Sequence, residues 1–185
     1  MLNPVPVVMV SCKDGDRENI LAIAWAGTVN SDPPMISISV RKERYSYDII
    51  KKSGVFAVNT VSAKLAETAD FCGVRSGRDI DKFAEKNIEK FYGETGVPMV
   101  AESPLTLECK VKEVIELGSH DMFIAEITNV YVDEKIIDKD GKIDFKKAEL
   151  VAYCHGEYFK LGRREGFFGF SVASEEVLKR RMNKK

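Results

Sequence analysis

The chain of 185 residues holds only two histidines and four cysteines, and neither sign of charge dominates, with 28 Lys+Arg against 29 Asp+Glu. Cys12, Cys72, Cys109 and Cys154 form no CxxC pair, and neither histidine lies at ligand spacing from any of them. Zinc sites draw on close pairs, so no metal centre is expected. A disulfide framework suits small secreted chains, and Met1-Leu2-Asn3-Pro4 shows no basic stretch ahead of an apolar core. The longest uncharged run, Ile20 to Ser31, falls far short of the roughly 20 apolar residues of a bilayer span. A formal net charge of −1 gives no broad basic surface for nucleic acid or an anionic membrane. Neither a GxxxxGK-Ser/Thr phosphate loop nor a GxGxxG after a strand occurs. The expectation is a cytoplasmic protein, without membrane or nucleic-acid partners, carrying four reduced, structural thiols.

What the sequence does contain is an ordinary globular composition, 44% hydrophobic and 31% charged, in a length that suits one domain over residues 1–185. The dominant apolar period is two, which predicts strands. Val7 to Cys12 is a buried-type run that meets Asn19 to Trp25 across an Asp14-Gly15 turn. Met35 to Arg41 alternates cleanly, as does Leu105 to Lys112, which places Cys109 on a core face and Thr106, Glu108, Lys110 and Lys112 on a polar one. Val55 to Val61, Met122 to Val132 and Glu149 to His155 complete six or seven strands. Helices are predicted over Tyr47 to Ser53, capped by Ser46 and closed by Gly54, from Ser62 through Cys72, over Asp79 to Lys86, and at the C-terminus over residues 174–185, peripheral to the rest. Strands without regular βαβ alternation predict a mainly β protein, a barrel with peripheral helices.

Three stretches carry chemistry. Trp25-Ala26-Gly27-Thr28-Val29-Asn30-Ser31-Asp32-Pro33-Pro34 connects two strands with small side chains that let a flat ligand approach the backbone. Ser39-Val40-Arg41-Lys42-Glu43-Arg44-Tyr45-Ser46-Tyr47 joins a strand end, three bases and a helix start, a good combination for an anion. Cys72-Gly73-Val74-Arg75-Ser76-Gly77-Arg78-Asp79-Ile80-Asp81-Lys82-Phe83 brings two glycines, a serine and two arginines before another helix. From the residues alone, these are also readable as a wide hairpin loop, a solvated basic turn and a loop before a helix that carries a surface lysine. For His120 and His155 the residues favour structural roles. No serine or cysteine nucleophile motif accompanies them, and Cys154 and His155, as neighbours on a strand, face opposite ways.

Taken in order, Asn19, then Trp25-Ala26-Gly27-Thr28 with Asn30-Ser31 and Pro33-Pro34, then Ser39, Arg41, Arg44, Tyr45 and Ser46, then Cys72-Gly73 with Ser76-Gly77, Asp79, Asp81, Lys82 and Phe83, then Glu116, Gly118, His120 and Asp121 resemble the flavoredoxins. These are a branch of the flavin reductase-like, FMN-binding split-barrel family. The resemblance runs from Asn3 to Val172. It implies a homodimeric, Greek-key split β-barrel with one FMN per subunit near the subunit interface. Trp25, Ala26, Gly27 and Thr28 would lie along the isoalloxazine, with Asn30, Ser31 and Asn19 close by. Ser39, Arg41, Arg44, Tyr45 and Ser46 would hold the ribityl phosphate, and Cys72, Gly73, Ser76, Gly77 and Lys82 would line a second side. His120 and Tyr153 match positions near the ring, His120 and Lys82 being the candidates for a catalytic part.

The implied activity is passage of hydride or electrons through the flavin, with NAD(P)H or a protein as the other redox partner. Lys82 would stabilise the reduced, anionic ring, and Cys72 would be a wall residue. Other readings are an electron carrier that does not use NAD(P)H, a split-barrel binding protein without redox turnover, and an oxidase that forms peroxide. No ribose-reading motif separates NADH from NADPH. Glu85 to Val100 matches no pattern of the family and is expected to be a charged loop.

Overall fold

The computed structural model describes residues 2–182. In chain order it contains β1 Val5–Pro6, β2 Val8–Asp14, β3 Arg17–Ile23, β4 Ala26–Ser31, β5 Pro34–Arg41, α1 Tyr45–Ser53, β6 Val55–Thr60, α2 Ala66–Val74 and α3 Lys82–Glu85. These are followed by β7 Lys90–Tyr92, β8 Pro98–Val100, β9 Leu105–Glu116, β10 His120–Val132, β11 Val151–Cys154, β12 Glu157–Lys160 and α4 Glu175–Met182.

Seven strands form one antiparallel sheet in the order β3-β2-β6-β9-β10-β5-β4. β3 and β4 are its two edges, yet only Ala24 and Trp25 separate them in the chain. In a flat sheet the edges would lie about 29 Å apart, six gaps of about 4.8 Å. Three Cα steps from Ile23 to Ala26 reach at most about 11 Å. The sheet therefore has to curl until its edges face each other, which makes a barrel with an open seam. The strands β1, β11 and β12 form a second small sheet, and β7 and β8 pair as a hairpin.

Inside the barrel pack Val10, Ile38, Val40, Phe56 and Phe123, with Ile49 and Ile50 of α1 plugging one end. Outside it, Met9, Ile20, Val61, Leu65, Ala69, Cys72, Phe83 and Val151 form a second core beneath α2, α3 and β11. The two cores explain why Val7 to Cys12 is apolar without alternation: successive residues of β2 enter different cores.

Several expectations need correction. The stretch Trp25 to Pro34 is not an open connection; residues Ala26–Ser31 form the edge strand β4, paired with β5 around a turn at Asp32-Pro33. Its residues are almost all exposed, so no apolar alternation announced it. Twelve strands stand among the described residues, rather than six or seven. The segment Glu85 to Val100 is largely the β7–β8 hairpin, with Val97, Met99 and Val100 buried. That hairpin covers the face of β9 expected to be polar, so Thr106 and Glu108 are buried.

The helix ends also move. Arg44, not Ser46, is the N-cap of α1, while Gly54 closes it as expected, at φ 70° with its N–H bonded to the Ile50 carbonyl. Ser62 precedes a 3-10 turn over Ala63–Leu65 without a side-chain cap, and α2 runs past Cys72 to Val74. The third helix contracts to Lys82–Glu85 because the Asp81 carboxylate accepts from the Phe83 and Ala84 N–H groups and starts it there. The C-terminal helix spans Glu175–Met182, and residues 183–185 of the expected helix lie outside the described residues.

Candidate functional site

A cavity of about 440 Å³ opens between β3, the β5–α1 connection and the segment from α2 to α3. Each wall has a local cause. β5 ends at Arg41, and the chain turns through Arg44, whose extended backbone (φ −69°, ψ 138°) launches α1. Ser46 is thereby buried in the first turn, where its hydroxyl accepts a hydrogen bond of 2.7 Å from Asn19 Nδ2 of β3. Opposite, residues 75–79 form a turn in which the Arg78 N–H donates to Ser76 Oγ at 3.2 Å. Gly77 sits so close to the Asn19 side chain and the Tyr45 ring that a Cβ would collide with both. Only glycine lets this loop seal against β3 and α1.

The cavity is electropositive. Arg41, Arg44, Arg75, Arg78 and Lys82 line it against a single carboxylate, Glu43. Three guanidiniums are held: Arg41 lies 3.2 Å from Glu43 Oε1, Arg44 donates to the Gly73 carbonyl at 3.3 Å, and Arg78 donates to the Glu43 carbonyl at 2.8 Å. Lys82 is only 3% exposed. Its ammonium donates to the carbonyls of Ile20 (2.8 Å) and Cys72 (2.7 Å) and has no carboxylate partner among the described residues. Burial pulls its pKa below the ordinary lysine value. An ammonium has three donors, so one is left for a ligand. The neighbouring Cys72 thiol is pushed up to about 11 by burial; it stays protonated at neutral pH and serves as wall, not nucleophile.

A second cavity of about 170 Å³ adjoins the first, sharing Leu21, Ala22, Arg41 and Arg44 with it and adding Trp25, Ser39 and His120. It lies at the barrel seam, between the end of β3 and the end of β5. The rings of Trp25 and His120, both lining it, lie in tilted contact with centroids 4.6 Å apart, and Ser119 Oγ lies 3.0 Å from His120 Nδ1. Asp121 faces the other way, buried against Tyr47, whose hydroxyl donates to Asp121 Oδ2 at 2.5 Å. That hydrogen bond, with Lys42 beside it, holds the Asp121 carboxyl below its usual range. His120 and Asp121 are thus not a catalytic pair. Together the cavities offer a cationic recess for an anionic group joined to a cleft with aromatic and small-residue walls for a flat one.

Of the residues singled out from sequence, Asn19, Arg41, Arg44, Tyr45, Ser46, Cys72, Gly73, Ser76, Gly77 and Lys82 line the larger cavity. Trp25, Ser39 and His120 line the smaller. Ala26, Gly27, Thr28, Asn30 and Ser31 line neither; they lie on β4, where Asn30 Nδ2 donates to the Pro33 carbonyl at 2.9 Å. Tyr153 also lies apart, on β11, with its ring 5.4 Å from that of Tyr158. Arg75, Arg78, Leu21 and Ala22 line the site without having been carried over as site residues. The two arginines stood in a stretch already marked for anion binding, whereas nothing separates Leu21 and Ala22 from ordinary strand residues.

Known proteins share this fold. The flavoredoxin of Desulfovibrio vulgaris (Miyazaki F) superposes with a TM-score of 0.86 at 36% identity, over 93% of this chain and 94% of that one. A protein of Aeropyrum pernix is 34% identical over 133 residues, 71% of this chain. The high molecular weight rubredoxin of Moorella thermoacetica is 30% identical over 127 residues, 67% of this chain. The chain spans about half the length of these last two relatives, 51% and 54%. The sequence model described as the flavin reductase like domain matches residues 1–162. With seam, recess and strand order in one frame, the chain belongs to the flavin reductase-like domain family, and its barrel is the split barrel of that family.

Proposed function

We propose that the chain is an FMN-binding redox unit that passes hydride or electrons through the bound flavin. One observation carries the reading: a recess lined by five cations and one carboxylate opens directly into a cleft between Trp25, His120 and the small residues Ala22, Ala24 and Ser39. A flavin mononucleotide has that shape of charge, a phosphate of about −1.5 to −2 at one end and a flat ring at the other. Arg41 and Arg44 line both cavities and so stand where phosphate and ring would join. Tyr45 and Ser46 would complete the phosphate end, and Ser39, which lines only the smaller cavity, would stand on the ring side of the junction. Trp25 and His120, in the cleft, would border the ring; Asn19, Cys72, Gly73, Ser76 and Gly77 would wall the recess behind it, and Lys82, also in the recess, would supply positive charge toward it. When bound, the flavin supplies the redox chemistry; the protein holds it and tunes it.

The exposed edge strand β4, with Ala26, Gly27, Thr28, Asn30 and Ser31, has unpaired main-chain groups on its outer side. It is the natural face for a second copy, which would bring those residues to a shared flavin site in a homodimer. No helix among the described residues is long and apolar enough to cross a membrane. All four cysteines are free, which fits a cytoplasmic setting.

The test is a titration of purified protein with FMN, followed by anaerobic addition of NADH or NADPH. A yellow complex that bleaches with turnover is expected. Failure to retain FMN would reject the reading, and Arg44→Glu should abolish retention. A second reading, an electron carrier served by a protein partner, draws on the relative described as a rubredoxin, of whose length this chain spans about half. It is chosen if only dithionite or a rubredoxin-type donor bleaches the complex.

A further inference from the structure

The recess holds more positive charge than one phosphate requires. Arg41 and Arg44 reach the junction of the two cavities and suffice for the phosphate of FMN. Arg75 and Arg78 line only the larger cavity, on the opposite wall. They leave one short turn, three residues apart across Ser76 and Gly77, and Gly77 presses that turn onto Asn19 and Tyr45. Arg78 is set in place by the Glu43 carbonyl and by the Tyr45 ring, 5.7 Å from its guanidinium carbon. Arg75 is exposed, and among the described residues its guanidinium has neither a hydrogen-bond nor an ion-pair partner. The cavity also lacks a free carboxylate of the kind that binds an unphosphorylated ribose. Glu43 is its single acid, and Glu43 is paired with Arg41.

We infer that Arg75 and Arg78 form a second phosphate subsite that takes the 2′-phosphate of NADPH, so that NADPH is preferred to NADH. This rests on the flavin reading of the recess and adds to it the identity of the reductant. Arginines serve this purpose where a dinucleotide site must accept a 2′-phosphate, and a planar guanidinium holds phosphate oxygens in pairs.

The experiment uses the FMN-loaded protein. The bound flavin is first checked by its absorption; a sample without flavin rejects the flavin reading, and this inference with it. Calorimetry then compares 2′,5′-ADP with 5′-AMP, two fragments that differ only in the 2′-phosphate. Binding at least about tenfold tighter for 2′,5′-ADP is expected, a difference of about 1.4 kcal/mol. In an Arg75→Gln, Arg78→Gln double variant the two fragments should bind alike, and the wild-type preference should weaken with added salt. Anaerobic bleaching should saturate at lower NADPH than NADH by a similar factor. Equal binding of the two fragments by the flavin-loaded protein overturns the inference and leaves the flavin reading standing. So does a preference that survives in the double variant. Tighter retention of FAD than FMN would assign the surplus charge to the pyrophosphate of the flavin itself and also overturn it.

Discussion

The indole of Trp25 and the imidazole of His120 lie with ring centroids 4.6 Å apart and planes inclined by 38°. One ring comes from the link between the two edges of the barrel sheet and the other from the start of β10, where His120 is opposite Arg41. Trp25 is the sole tryptophan in the sequence and lies at the smaller cavity. Its emission is therefore a clean reporter. Saturation with FMN is expected to quench most of it, and Arg44→Glu to remove the quenching. Emission that does not change on saturation would put the flavin elsewhere.

Lys82 offers two kinds of readout. Lys82→Met removes the donor from two buried carbonyls, those of Ile20 and Cys72, which costs about 1–3 kcal/mol for each group left unpaired. The denaturation midpoint should fall accordingly. In the flavin-loaded protein, loss of a positive charge beside the ring should shift the two-electron midpoint to more negative values by about 30 mV or more, equivalent to roughly 1.4 kcal/mol. A potential that does not move would confine Lys82 to a structural role.

Glu108 is a fully buried carboxylate with no cation paired to it among the described residues. It accepts from the Thr95 N–H (2.7 Å), the Thr95 hydroxyl (2.5 Å), Asn129 Nδ2 (2.9 Å) and the Tyr131 hydroxyl (3.1 Å). Burial pushes its pKa up, but these donors outweigh it and the net direction is down from 4.5. A carboxyl whose folded value lies below its unfolded one stabilises the protein above the unfolded value and ceases to do so as pH falls through the folded value. Glu108→Gln is expected to cost about 1–3 kcal/mol at pH 7. The gap from wild type should shrink steadily below about pH 4.5 in urea melts at matched pH. A gap that stays constant with pH would mean that the carboxylate charge contributes nothing.

Gly77→Ala tests how tightly the recess is sealed. The added methyl meets the Asn19 side chain and the Tyr45 ring, so the turn at residues 75–79 has to move outward. Overpacking of this kind costs about 1–3 kcal/mol. FMN affinity should drop at least about tenfold, since the displaced turn carries one wall of the cavity. An unchanged affinity would show that this wall does not touch the flavin.

Much of the fold is legible in the residues because its signals are local. The alternation of Ile36, Ile38 and Val40, the Asp14-Gly15 turn and Gly54 at the end of α1 each follow from neighbouring side chains. β4 is not legible in the same way: an edge strand exposed on both faces has no apolar period to read. The burial of Glu108 is also hidden, because the hairpin that covers it is built from two strands of three residues each, Lys90–Tyr92 and Pro98–Val100, too short to show an apolar period. In the site, the anion-binding stretches around Arg44 and Ser76 are marked by their own composition. That Lys82 turns inward, and that Asn19 meets Ser46 and Gly77, depends on segments up to 62 residues apart along the chain, from Ile20 to Lys82, and only packing brings them together.

The link of Ala24 and Trp25 draws the two edges of a curled sheet together through the backbone alone, with a cavity beside the seam. A ligand seated there touches β3 on one side and β5 on the other, and so acts as a brace across the opening. Because the brace exists only when the barrel is curled, it binds the folded state alone and its free energy is added to that of folding. At a hundredfold excess over the dissociation constant that amounts to about 2.7 kcal/mol, a sizeable share of what typically separates a folded domain from its unfolded chain.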